Sequence, residues 1–536
     1  MLATALIIAI AINLWSQPPS RVEATNLCPS TGSSAGPFNT VTYEATNRTV
    51  YNRVFELAGL NQLFPGIASF NVPSLSGPQA STHIPPALLK AIAWIESGMV
   101  QADWTVPWGG VGPALISHDC GYGIMQVTSG MQNTTGIPSL DQAMIAGNFA
   151  FNIARGAWIL ADKWNWTWLP PAGPVVGDGN TKNIENWYYA VWLYNGFAEK
   201  NHPMNPWLNQ NNPWPRLPYS CGPLNDGYGH DRSLYPYQEL VFGCLARPPV
   251  VSGQPLWTGI DVKLPDLWNP ANAGLADINN FYKCSPNYLP HDYSGCPKMN
   301  IPTPQPAHQD GTLPQQTREQ LIGQPAFNVS PADVSIEVAS GGSSSSASFV
   351  VANSGTGLLT WRATTSAPWL SVSQVQGVAL SPGWGNYPAG FTTTVKVMIN
   401  AASLSPGPYQ GSITLESLYP SNSKVTVKVN LTVTPGPSPT PTPSPSPTPS
   451  PTPEPTLMTA GDVNCDTQVT VIDALGVLQF ISGLSTGDCL QYAGNVDCQG
   501  GINIQDALLI LQHLVGLPLS LPGDCPPPGT PFYVYT

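Results

Sequence analysis

Hydrophobic and polar positions change rhythm three times along this 536-residue chain. From Ile84 to Gly98 the sequence IPPALLKAIAWIESG repeats its apolar residues at helical spacing. Leu88, Ile92 and Ile95 share one face, with Leu89 and Ala93 beside them. Prolines stand at the start, where missing amide donors cost least, and Gly98 stands at the end, so one helix is expected. Between Phe327 and Pro435 the rhythm is two. Val334 to Val338, Thr394 to Ile399 and Val425 to Val429 alternate apolar with polar, and Gly and Pro turns separate them. That pattern predicts a sandwich of short antiparallel strands over 326–434. Near the end, DALGVLQFISGL from Asp473 returns as DALLILQHLVGL from Asp506, offset by 33 residues. Two copies of one short helix are expected, with Val477, Leu478, Ile481, Leu484, Ile510, Leu511, Leu514 and Leu517 as their core.

The segments between these rhythms divide the chain. Residues 435–456 read PGPSPTPTPSPSPTPSPTPEPT, a run that cannot form a core and extends as a polyproline-like spacer of about 3.1 Å per residue. A softer boundary is expected in the polar, Pro-rich stretch 302–324. The chain is too long for one core, and roughly 150 residues per domain predicts three or four units. Leu2 to Trp15 is apolar and ends in small residues up to Ala24, which fits an export signal over 1–24. It lacks the usual Lys or Arg at its start, and it is shorter than the ~20 residues that a membrane span needs. Six cysteines lie between Cys28 and Cys296, none in the strand region, and four between Cys465 and Cys525. Such even counts are expected of disulfides closed within each unit in an exported protein, with the pairing open. Lys and Arg number 19 against 31 Asp and Glu, a net charge of −12 with no cation cluster, which argues against nucleic acid as a partner.

Chemistry enters at Glu96. It falls in the last turn of the predicted helix, at the negative end of the helix dipole and beside apolar surface. Both effects raise a carboxyl pKa and suit a general acid near neutral pH. A solvated helix-end glutamate is the alternative. Three further blocks follow: GYGIMQV from Gly121, NIARGAWIL from Asn152 and AVWLYNG from Ala190. In their order these four blocks resemble the soluble lytic transglycosylase family, which shares its fold with goose-type lysozymes. The resemblance covers about residues 84–196 and implies a mainly α, lysozyme-like domain over 25–325 that acts on peptidoglycan. It implies Glu96 as the acid, Gly123 as a close backbone approach to the sugar, Gln126 and Tyr194 as cleft lining, and Asn195 as a loop or N-acetyl contact. Tyr194 is further expected to hold Glu96 by a hydrogen bond. Asp119, with Asp103 nearby, opens a hydrolytic alternative in which a second carboxylate activates water. A wall-binding protein with an inactive cleft is a third reading. Cys120 beside His118 is read as a disulfide cysteine over a nucleophile. Trp207, Trp214 and Trp257 are read as packing a disulfide-stapled subdomain over extending a cleft.

The strand region, through APWLSV from Ala367 and LSPGPYQGSIT from Leu404, resembles BACON domains, which implies an all-β, immunoglobulin-like sandwich; Trp369 is read as core. Ahead of each carboxy-terminal helix lies an oxygen-rich loop. The first carries Asp462, Asn464, Asp466, Gln468, Thr470 and Asp473, the second Asn495, Asp497, Gln499, Gly501, Asn503 and Asp506. These are the ligand positions of calcium loops, with Gln468 and Gly501 at the backbone-carbonyl position. Together with the paired helices they resemble a type I dockerin over 457–525, a small α, EF-hand-like module. The resemblance implies calcium as a structural cofactor and a cohesin-bearing scaffold or cell-surface protein as partner. Thr467 occupies the sharp-turn position usually given to Gly, at a cost of about 1–2 kcal/mol.

Overall fold

A computed structural model describes residues 38–435 and 456–534, less 79–80, 134, 169–172, 267–276, 280, 282–299, 421–422, 483–487, 520 and 523–524. The expected export signal, nearly all of the spacer, Cys28, Cys284, Cys296 and Leu484 lie outside the described residues. The chain forms two compact units that meet at 438/439 in sequence.

The first unit begins with helices α1 (Arg48–Gly59), α2 (Pro86–Ser97), α3 (Leu140–Gly147), α4 (Phe149–Thr167), α5 (Tyr188–Tyr194), α6 (Pro206–Asn211) and α7 (Tyr237–Ala246). Local signals set their ends. Asn47 caps α1 by accepting from Thr49 and Val50 N–H, and Ser139 with Gln142 forms a capping box on α3. Helix α2 starts on its prolines and stops at Gly98, whose φ of +67° a side chain would oppose. Strands β1 (Val41–Tyr43) and β2 (Val111–Pro113) pair antiparallel across the helices. Short strand pairs β3 (Val175–Val176) with β6 (Asn300–Ile301) and β4 (Val250–Val251) with β5 (Gln254–Pro255) close the loops. The stretch 302–324 is no free joint. Asp310 Oδ2 accepts from Ala87 N–H at 2.6 Å, and helix α8 (Arg318–Ile322) buries Leu321 and Ile322 in the helical core.

Strands β7 (Phe327–Ser330), β8 (Asp333–Ala339), β9 (Ser343–Asn353), β10 (Leu358–Thr365), β11 (Leu370–Val372), β12 (Gln376–Leu380), β13 (Thr393–Asn400), β14 (Gly407–Ser417) and β15 (Ser423–Thr434) form the expected sandwich. Their sheets run β12-β10-β14-β15-β8 and β11-β13-β9-β7, and β15 pairs β8 in parallel. Val334, Ile336 and Val338 alternate inward against Val429, Leu431 and Val433. Trp369 is half-buried at the rim of this core, edge-on to Tyr409.

Two strands depart from simple alternation. On β10 and β12, Leu359, Trp361, Ala363 and Ala379 enter the sandwich core, while Leu358, Val378 and Leu380 enter the helical core. Gln376 closes the seam: its Oε1 accepts from Val41 N–H at 2.9 Å and its Nε2 donates to Val41 O at 2.8 Å. Sandwich and helices are therefore one packed body.

The second unit contains β16 (Thr456–Thr459) paired with β17 (Pro531–Val534), and helices α9 (Val471–Ile481), α10 (Asp488–Ala493) and α11 (Ile504–Leu514). Thr470 with Asp473 and Asn503 with Asp506 make capping boxes on the repeated helices. Its core is Val463, Ala474, Val477, Leu490, Val496, Ala507, Leu509 and Ile510, with Leu478 and Leu514 partly buried against it. The expected core residues Ile481, Leu511 and Leu517 are exposed instead. Ala474, Val477, Ala507, Leu509 and Ile510 take the inward face, Val477 and Ile510 as expected, while Leu511, next to Ile510 along the helix, is turned outward.

Disulfides join Cys221 to Cys244, Cys465 to Cys489 and Cys498 to Cys525, each within its own unit. Cys120 is also disulfide-bonded, as expected. Among the described residues, no helix is long and apolar enough to cross a membrane.

Candidate functional site

The four sequence blocks meet at one short stretch of backbone, Gly123 to Gln126. From α2, Ser97 Oγ donates to Ile124 O at 2.8 Å. From α4, Asn152 Oδ1 accepts from Met125 N–H at 2.8 Å, and its Nδ2 donates to Tyr122 O at 2.7 Å and Ile145 O at 3.0 Å. One turn along, Gly156 makes room for the Met125 side chain; a Cβ there would lie 2.6 Å from Met125 Cγ. From α5, Tyr194 Oη donates to Met125 O at 2.9 Å. Gln101, fully buried, donates to Ala146 O and accepts from Ile124 N–H. Ser97, Asn152 and Tyr194 thus each satisfy a backbone group of this stretch.

Glu96 stands beside this stretch, half-buried in the last turn of α2. Its pKa is raised to about 7, first by burial, with the nearby charge of Asp119 adding to it. A hydrogen bond from Tyr237 and the guanidinium of Arg232 pull the other way. The helix end itself is covered by arginines. Arg232 Nη2 donates to Ile95 O at 2.7 Å and Arg48 Nε donates to Gly98 O at 2.9 Å. Burial therefore raises this carboxyl, while the C-terminal carbonyls that would have contributed are bonded to cations.

The residue that holds Glu96 is not the expected one. Tyr194 spends its hydroxyl on Met125 O, and Tyr237 Oη donates to Glu96 Oε1 at 2.5 Å instead. Tyr237 is the first residue of α7, a helix that the Cys221–Cys244 bridge ties down. Sequence reasoning missed it because 141 residues and no shared motif separate the two side chains. The available signal was an aromatic residue straight after Pro236, opening an apolar run that contains Cys244.

The remaining candidates scatter around this center. Gly123 is buried with φ +66°, and the space its missing Cβ leaves is filled by the Gln101 and Asn152 amides of the protein itself. Gln126, at φ +46°, donates from Nε2 to Gly123 O at 2.8 Å. Asn195 is exposed, and its Oδ1 accepts from Asn201 Nδ2 at 3.0 Å. Asp119 is exposed and accepts from Ser117 Oγ at 2.5 Å, whereas Asp103 braces its own turn through Thr105. Trp257 is buried, Trp214 half-buried and Trp207 exposed, so only part of that trio packs a subdomain.

In the second unit the two oxygen-rich loops have matching backbones. Positions four and six have positive φ in both: Cys465 +58° and Thr467 +72°, Cys498 +54° and Gly500 +65°. Asp462 accepts from the N–H groups of Asp466 and Thr467, at 3.1 and 2.9 Å. Asp466 accepts from Asn464 Nδ2 at 3.0 Å and from Gln468 N–H at 2.9 Å. Asp473 and Asp506 are fully buried; each accepts from its N-cap amide, Thr470 or Asn503, and from Val463 or Asp497 N–H. In the second loop Asn495 Oδ1 is buried without a hydrogen-bond partner among the described residues, while Gln499 N–H donates to Asp497 and Asn503 Nδ2 to Gly501 O. No group of three or more His, Cys, Asp and Glu gathers among the described residues. Oxygens in these loops come from amides and hydroxyls as much as from carboxylates.

Residues 326–430, the sandwich, match the viral BACON domain family. No curated protein matches the chain. Among solved structures, the chain is similar to the ASH/PapD-like domain of human CEP192, at 10% identity over 20% of this chain and 86% of that one, with a TM-score of 0.17. It is also similar to a Bacteroides ovatus GH5 xyloglucanase in complex with a XXXG heptasaccharide, at 14% identity over 20% of this chain and TM-score 0.14, and to the Vibrio cholerae VesB protease, at 15% identity over 20% and TM-score 0.13. The chain spans 19% of the xyloglucanase and 32% of the protease.

Proposed function

We propose that this chain is an exported lytic transglycosylase of lysozyme-like type that cleaves the glycan strand of peptidoglycan. The observation that carries the reading is the convergence of Ser97, Asn152, Gly156 and Tyr194 on Met125 and its neighbor Ile124, with Glu96 beside them and its carboxyl raised to about 7. An acid of that strength is part protonated at neutral pH and can give its proton to a glycosidic oxygen. Tyr237 positions it. As the bond between N-acetylmuramic acid and N-acetylglucosamine breaks, Glu96 becomes a carboxylate. It then takes the proton of the muramic 6-hydroxyl, whose oxygen bonds C1 and closes a 1,6-anhydro ring. Glu96 ends protonated as it began, and no water is consumed. Disulfides in both units support export, since such bonds persist in oxidising compartments.

One observation favors a second reading. Asp119 is exposed and its charge acts on Glu96, so it is the carboxylate available to activate water in a goose-type hydrolase. Its bond from Ser117 also suits a plain loop brace.

The second unit is read as a dockerin-like module that binds calcium and docks a cohesin. Matching positive φ at the turn positions, the buried Asp473 and Asp506, and the unpartnered Asn495 Oδ1 support calcium loops, in which the metal would hold loop and helix together. Asp462, Asn464, Asp466, Asp473 and their counterparts would hold it. Val471, Ile472 and Ile504, at positions ten and eleven of the loops, are exposed and suit a docking face. With Gln505 they are more apolar than the usual hydroxyl pair, so a cohesin of unfamiliar specificity is expected.

Mass spectrometry of muropeptides released from purified wall tests the enzyme reading. Products lighter by one water than hydrolysis gives are expected. Reducing-end products that vanish in Asp119→Asn would establish the hydrolase instead.

A further inference from the structure

The segment between Cys221 and Cys244 carries both Arg232 and Tyr237, the two groups that pull on the Glu96 carboxyl, and its disulfide closes it at the ends. It is stitched along its length. Ser220 N–H donates to Gly229 O at 2.8 Å, and Gly229 N–H donates to Pro218 O at 3.1 Å. Asp226 accepts from Ser220 Oγ and lies 2.9 Å from His230 Nε2, while Tyr235 Oη donates to Leu217 O at 2.8 Å. Asp231 accepts from Ser233 N–H at 3.0 Å and from Ser233 Oγ at 2.7 Å, which fixes the turn that presents Arg232. The guanidinium is thus held in a set place instead of trailing in water.

That place is beside the acid. Arg232 Nη2 donates to Ile95 O at 2.7 Å, the carbonyl just ahead of Glu96, and the residue is exposed. The bond takes one of five N–H donors, and among the described residues Arg232 makes no other hydrogen bond and no ion pair. Its charge reaches Glu96, Tyr219 and Tyr237, in surroundings that also hold Asp231 and Asp119. Asp231 is bonded to Ser233 and Asp119 to Ser117, and Glu96 is neutral in the form that donates a proton. A fixed cation therefore stands beside the carboxyl that the sugar chain must reach, with no carboxylate bonded to it.

N-acetylmuramic acid and N-acetylglucosamine share one ring and differ by the 3-O-lactyl group of the former. That group bears a carboxylate or, through an amide, an acidic peptide, and guanidinium pairs with carboxylates through two parallel donors. We propose that Arg232 is a specificity-determining residue that binds the acidic substituent on the lactyl group of muramic acid, so that the site takes peptidoglycan over chitin. This rests on the reading of Glu96 as the acid.

The test is isothermal titration calorimetry of the full chain carrying Glu96→Gln, which stops turnover, with three tetrasaccharides. These are chitotetraose, an alternating N-acetylmuramic acid and N-acetylglucosamine tetramer with free lactyl carboxylates, and the same tetramer with L-Ala-D-Glu stems. An acidic tetramer is expected to bind at least about tenfold more tightly than chitotetraose. Preference for both acidic forms assigns the charge to the lactyl group itself or its nearest substituent, and preference for the stem-bearing form alone assigns it to the stem. Adding Arg232→Gln is expected to remove the preference and leave the affinity for chitotetraose as it is, while Arg232→Lys keeps part of the preference. Equal binding of all three, an Arg232→Gln chain that keeps the preference, or one that weakens all three alike would overturn this proposal alone. Binding of none would overturn it together with the reading of Glu96.

Discussion

Replacing Tyr237 with Phe removes one hydroxyl and keeps the ring, so it isolates the bond to Glu96. That bond is 2.5 Å long and ends on a half-buried carboxyl. A hydrogen bond to a charged group contributes about 1.5–3 kcal/mol, and here it favors the carboxylate over the acid. One pH unit corresponds to about 1.36 kcal/mol, so after allowance for solvent the Glu96 pKa should rise by about one unit above its present value near 7. The sign follows directly. The proton-donating form then survives to higher pH, and the alkaline limb of kcat/KM moves upward by about one unit. The maximum should fall at the same time, by about tenfold, because the carboxyl loses its orientation. Clearing of a peptidoglycan suspension, followed from about pH 5 to about pH 9, reads both effects. An alkaline limb that stays in place or moves down would refute the role given to Tyr237. An unchanged rate with an unchanged profile would mean that the ring only packs.

Further outcomes are expected. Glu96→Gln should reduce wall cleavage by at least about 10²–10⁴-fold with an unchanged melting curve; near-full activity would remove the acid assignment. Calcium added to the full chain should raise the melting of the second unit, by about 2.7 kcal/mol at a hundredfold excess over Kd, and Asp462→Ala should reduce the calorimetric heat; chelator-insensitive melting would remove calcium from the account. Leu380→Ala should cost about 2–5 kcal/mol and lower one shared transition of residues 38–435. A sandwich that melts by itself, with the helices unaffected, would contradict the shared core.

What the sequence revealed of all this was local. Helix α2 was legible to within two residues because its prolines and Gly98 are strong end signals. The strands of the sandwich were legible where one face is polar, as on β8 and β15. On β10 and β12 the near-continuous runs LLTW and GVAL were not legible as strands, because both faces are buried and no alternation marks them. The motif blocks located Met125 and its partners, since each block occupies one turn or one loop. Tyr237 and Arg232 reach Glu96 only through the tertiary fold, and no spacing in the sequence encodes that approach. Helical periodicity was right for Val477 and Ile510 and wrong for Leu511 and Leu517, which look like core and face water.

Family borders drawn on sequence need not be places where a gene can be cut. The BACON match starts at Ala326, yet Leu358, Val378 and Leu380 from inside it lie in the helical core, and Gln376 supplies both hydrogen bonds to Val41. Recombination at that border would lay an apolar stripe open to water and orphan a backbone donor and acceptor. An incoming sandwich from another protein would have to bring the same outer face. Helices and sandwich are therefore inherited together.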